Sequence, residues 1–167
     1  MRRTSDSGNP GGWSAYIAAL LRIETPGGLV WVRPAPISRT SGEYPEPERR
    51  AICVITAHNP GGRVVSGADN AARQAQLVAE VEARGLTWWP AAGGDPSWTH
   101  VEDSVAVIGM DETEAVELGA QFGQDAIFVL TPAERRVVGC AERRTVATGW
   151  SLEAGPYLPA PAGGGGA

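Results

Sequence analysis

Ile52–Arg73, ICVITAHNPGGRVVSGADNAAR, is the stretch on which the fold turns. Ala51 to Ala57 is an apolar, β-rich run short enough for a buried strand, and His58, Asn59, Pro60, Gly61 and Gly62 end it with turn-forming residues. A helix follows. Ser66 with Asp69 three residues later matches a capping box, after which Ala71, Ala75, Val78 and Val81 recur at helical spacing up to Gly85, a natural stop.

Working outward, Leu86 to Ala91 predicts a second strand and Val101 to Gly109 a third, separated by a loop with Gly93, Gly94, Pro96 and Trp98. Asp111 and Glu114 repeat the capping pattern. Ala115, Leu118, Gly119 and Phe122 then form the stripe of a core-facing helix, and Ala126 to Leu130 is a compact apolar strand. Residues 51–131 therefore read βαββαβ. That order predicts an α+β fold with a ferredoxin-like split β-α-β core, an antiparallel sheet carrying both helices on one face. Around it the sequence predicts an N-terminal amphipathic helix over 13–23 and extra edge strands at Leu29–Val32 and Arg136–Val146, with Ser38–Glu48 as a long exposed loop. Residues 1–12 and 151–167 are rich in Gly, Pro and Ser and read as a disordered leader and tail, leaving 13–150 as a single domain.

Composition excludes several chemistries. All 14 basic residues are Arg, so no Schiff-base lysine, phosphate-loop lysine or Ser-Lys pair exists. The net charge of −5 argues against general nucleic-acid binding, which needs clustered cations to neutralise phosphates. Cys53 and Cys140 form no CxxC or other metal-ligand spacing, and two cysteines in a chain of this size predict a reducing, cytoplasmic setting. No apolar run is long enough to span a bilayer, so no membrane partner is expected. Trp31, Trp88, Trp89, Trp98 and Trp150 could stack on bases or sugars, but core packing is the simpler role without a basic groove. In a strand, at least one of the neighbours Trp88 and Trp89 should point away from the core.

The loop from His58 to Ser66 combines a strand end, glycines and a helix start, where exposed backbone N–H groups favour an anion. Asn59 stands in that loop; Asn70 and Arg73 share one face of the following helix. Ser104 and Gln124 come from other elements that could converge there. The plain alternatives are a tight turn capped by Ser66, a solvated helix face, and a Gln124 that satisfies loose carbonyls at a helix end. His58, His100 and Glu102 are the available acid–base groups, since histidine titrates near neutrality and a carboxylate can fix its tautomer. A metal site would need both histidines and matches no ligand spacing, so no metal and no cofactor is implied.

ITAHNPGG at Ile55–Gly62, the downstream Ser66, Asn70 and Arg73, EDS at Glu102–Ser104 and FGQDAIF at Phe122–Phe128 together resemble a bacterial family of unknown function, DUF3293. The resemblance covers roughly residues 50–131. It implies a compact bacterial domain with a shared site surface and carries no activity. An aromatic residue often stands in that family where this chain has His58, which favours Asn59 over His58 for a shared role. The sequence thus predicts a small cytoplasmic domain that binds a small anionic ligand or a protein partner at the 58–73 loop and helix start. The alternatives are an enzyme using His58 or His100 with Glu102 as general acid or base, and an accessory subunit of a larger complex.

Overall fold

Ile52–Thr56, here β4, forms a strand whose residues are buried on both sides, and this double burial organises the molecule. A computed structural model describes residues 12–160. Ile52 and Val54 point into one apolar core, with Leu21, Ile23, Val32, Ala106, Leu130 and Trp150. Cys53 and Ile55 point into another, with Leu77, Val81, Val105, Leu118 and Ile127. Successive strand residues face opposite ways, so an uninterrupted apolar run needs a cover on each face.

The remaining elements supply those covers. A short helix α1 (Gly12–Ala18) leads into the hairpin β1 (Leu20–Thr25) and β2 (Gly28–Ala35), followed by a two-residue strand β3 (Thr40–Ser41). After β4 come α2 (Gly67–Ala83), β5 (Trp88–Gly94), β6 (Val101–Ile108), α3 (Glu112–Gln121), β7 (Ala126–Leu130), β8 (Arg135–Gly139) and β9 (Thr145–Ala154). Hydrogen-bonded neighbours run β2-β1-β5-β6-β4-β7-β8-β9, and β9 pairs back onto β2, with Val32 opposite Leu152. Every pairing in this ring is antiparallel, and β3 adds a parallel contact to β9. The result is a closed eight-stranded β-barrel with α2 and α3 packed on its wall.

This closure overturns the α+β, ferredoxin-like expectation. The run βαββαβ occurs, and its strands lie in the order β5-β6-β4-β7, but β5 and β7 are not sheet edges. The hairpin β1–β2 extends one side, β8–β9 extends the other, and the two extensions meet; closure removes the unpaired edges of an open sheet. The strands expected at the margins are therefore wall strands. Both wall faces are covered near the helices, so Trp88 packs against the outer core and Trp89 against the inner one, each half-buried. β9 makes the join by pairing first with β8 and then with β2. Gly149 sits at that transition, where a Cβ would collide with the carbonyl oxygens of Arg39 and Pro36.

Several boundaries also move. The helix expected over 13–23 ends at Ala18, and Leu20–Thr25 is strand, because Leu21 and Ile23 alternate into the barrel. The apolar spacing of AYIAALLRI fits either period. Residues 135–154 form two strands joined by a hairpin, and β9 continues through 151–154, past the expected domain end at 150. The expected leader, 1–12, lies outside the described residues except for Gly12, as does the tail beyond residue 160. In the 38–48 loop, Glu46 is buried and binds Arg50 through its backbone N–H and its guanidinium.

α1 is secured by a cation. Arg135 is fully buried, with its guanidinium donating to the carbonyls of Tyr16, Ile17 and Ala19 and lying over the Phe128 ring. Burial lowers its pKa to about 10. The last carbonyls of a helix carry partial negative charge, which is why a guanidinium can take the place of intrahelical donors there.

Candidate functional site

The loop between β4 and α2 is held by one asparagine. Asn59 adopts a left-handed backbone (φ 47°, ψ 61°), a conformation that asparagine tolerates better than most side chains do. Its side chain then bonds in three directions. Nδ2 donates to Glu102 Oε1 at 3.0 Å, and Oδ1 accepts from Val65 N–H and from Asn70 Nδ2, each at 3.1 Å. The Asn59 backbone N–H donates to Asn70 Oδ1 at 2.9 Å, so the two amides clasp each other. Asn70 is buried on the first turns of α2. Strand β6, the loop and the helix start thus share one network.

The other side of the loop rests on the end of α3. Gly61 N–H donates to Gly123 O at 2.7 Å, and Pro60 lies so close that a Cβ on Gly123 would stand 2.8 Å from its Cβ. Gly123 also has a φ of 73°, so glycine is required there on two grounds. Gln124 Nε2 donates to His58 O at 2.9 Å. Arg73 spans both elements, Nε donating to Ala57 O at 2.9 Å and Nη2 to Phe122 O at 2.6 Å.

The structure therefore brings together His58, Asn59, Asn70, Arg73, Glu102 and Gln124. Their polar groups, however, mostly hold one another. Ser66 accepts from Asp69 N–H at 3.1 Å as the N-cap of α2. Ser104 is buried on β6 and donates to Glu102 O at 3.3 Å. His100 stands apart in the exposed β5–β6 turn, where its backbone N–H donates to Asp95 Oδ1. At α3, Asp111 is the N-cap residue but forms no side-chain cap bond, and Glu114 instead pairs with Arg84 at 3.0 Å.

Two groups in the cluster stay open to chemistry. His58 Nε2 is buried without a hydrogen-bond partner. Glu102 is largely buried, and desolvation raises its pKa against the lowering effects of the Asn59 hydrogen bond and the nearby His58 imidazole. No cluster of three or more His, Cys, Asp or Glu residues that could hold a metal occurs among the described residues. Cys53 and Cys140 are free thiols, and burial pushes their pKa values up to about 12 and about 11, which disfavours the reactive thiolate.

The asparagines and Arg73 are legible in the sequence, but their bonding and the part played by Gly123 are not. FG at 122–123 reads as a helix stop; that the same glycine receives Pro60 is a tertiary fact with no local signal.

Fold and loop together define a closed antiparallel β-barrel with two wall helices and an asparagine-locked strand-to-helix loop at the end of β4. A family model described as a protein of unknown function (DUF3293) matches residues 55–127. The matched segment runs from the end of β4 to β7 and contains the whole Asn59 network. No curated protein and no solved structure matches the chain. Among the described residues, no helix is long and apolar enough to cross a membrane.

Proposed function

We infer that this chain is a cytoplasmic binding module that docks a protein partner on the β4–α2 loop, within residues 58–73, as an accessory subunit does. The observation that carries this reading is Val64. Its side chain is 91% exposed, while the next amide, Val65 N–H, is fixed to Asn59 Oδ1. An apolar side chain presented on an already ordered backbone loses little conformational entropy when a partner covers it. Arg63 beside it is exposed as well and adds a charge for orientation.

A small anion is less well served by the same loop. The donors that would hold it, from Arg73, Asn70, Asn59 and Gln124, already bond within the protein. The two free thiols are consistent with a reducing, cytoplasmic setting. The test is quantitative affinity capture from the native host with the parent chain and with Val64→Asp, both checked for folding by circular dichroism. A partner retained by the parent and lost from the folded variant supports docking. Equal recovery by both contradicts it.

Glu102 and His58 favour a second reading, acid–base catalysis, because a carboxyl whose pKa is raised by desolvation holds its proton more readily and stands beside an imidazole that can exchange it. It requires turnover that Glu102→Gln abolishes without unfolding the chain; undiminished turnover in that variant rejects it.

A further inference from the structure

One turn along α2 from Asn70, a cleft of about 250 Å3 opens between the helix and the outer faces of β1, β5 and β6. Val78, Trp88 and Pro90 give it apolar walls. Arg22, Glu24 and Asp103 give its lining both signs of charge, and Gln74 and Ser104 add neutral polar groups. Gln74 and the three charged groups lack the partners that the loop residues have. Gln74 Oε1 is buried and accepts no hydrogen bond, a costly state for an amide oxygen that a ligand donor would relieve. Arg22 is held over two indole rings, 5.6 Å from Trp31 and 5.5 Å from Trp98, with no carboxylate paired to it among the described residues. Glu24 and Asp103 are exposed and form no ion pair among the described residues.

The charge pattern selects the ligand class. A simple anion entering the cleft meets Glu24 and Asp103, and a simple cation meets Arg22. A molecule bearing one charge of each sign, with an apolar body, satisfies both and covers the walls. We propose that this cleft binds a free zwitterionic α-amino acid with an apolar side chain. Arg22 receives the carboxylate, Gln74 Oε1 and Asp103 receive the ammonium, and Val78, Trp88 and Pro90 cover the side chain. The stacked guanidinium is suited to this role, because its N–H edge stays available while its face is fixed by the indoles.

Isothermal titration of the full chain with L-leucine, L-leucinamide and N-acetyl-L-leucine tests the assignment. The expected result is a saturable one-to-one heat with L-leucine and affinity weaker by about tenfold or more for each analogue that lacks one charge. Asp103→Asn and Gln74→Leu each weaken L-leucine binding by about tenfold or more, with unchanged circular dichroism. Should Gln74→Leu fail to fold, the exposed Asp103 carries the comparison. Absence of saturable heat from L-leucine, L-methionine and L-phenylalanine at about 10 mM overturns the proposal, as does equal binding of leucine and leucinamide. None of these substitutions touches the β4–α2 loop, so failure here leaves the docking reading standing.

Discussion

Asn59 and Asn70 bond to each other twice, backbone N–H to Oδ1 at 2.9 Å and Nδ2 to Oδ1 at 3.1 Å, across 11 positions of sequence. This clasp joins the end of a barrel strand to the start of a wall helix. Asn59→Gly retains the left-handed backbone and removes every side-chain bond, so it isolates the network from the strain. It is expected to cost about 1–3 kcal/mol in urea denaturation, and Asn59→Ala more, because alanine also resists a positive φ. A glycine variant as stable as the parent would show that the network contributes nothing.

Glu102 gives the site a pH signature. Desolvation raises its folded-state pKa above its unfolded value, so the folded chain holds the proton more tightly. That contribution is fully present below the unfolded glutamate pKa and is lost as pH rises through the higher folded value. Glu102→Gln keeps an acceptor for Asn59 Nδ2 but cannot ionise. Thermal melts should show the variant more stable than the parent at about pH 8, with the gap closing at about pH 3–4, where the parent is protonated too. A gap that is constant with pH, or that widens in acid, contradicts the assignment.

Arg73 behaves as a fastener under this account, and that changes what its removal does. A lysine keeps the charge but cannot reach Ala57 O and Phe122 O with a planar fork. Arg73→Lys is expected to lose about 1–3 kcal/mol of stability by chemical denaturation. An unchanged midpoint would return Arg73 to the pool of available ligand-binding groups.

Arg135 predicts a local effect. Arg135→Met removes the donors to Tyr16, Ile17 and Ala19 while filling much of the same volume. Hydrogen exchange should accelerate in residues 12–19 while β4, β6 and β7 remain protected. Uniform acceleration across the barrel would mean that α1 is not a separately held element.

The strands and helices from β4 to β7 were legible because their signals are local: the ICVIT run, the Ser66 cap, and the Ala115–Leu118–Phe122 stripe. Closure was not, since the pairing of Val32 with Leu152 joins residues 120 positions apart and depends on β9 changing partners at Gly149. Nor does RRVV reveal which arginine faces inward. Arg135 is buried in the barrel and Arg136 pairs outward with Glu112, a choice fixed by strand phase alone. At the site, residue types identified Asn59, Asn70 and Arg73. Their partners were hidden because Glu102, Phe122 and Val65 reach them only after the barrel is built.

The most direct test of the locked loop is the exchange rate of a single amide. Val65 N–H lies outside any helix or strand and beside the exposed Val64, yet it donates to Asn59 Oδ1 at 3.1 Å. Residue-resolved hydrogen exchange by NMR should find it protected in the parent chain and unprotected in Asn59→Gly, with the core strands slow in both. A Val65 amide that exchanges at the open-chain rate in the parent would contradict the account.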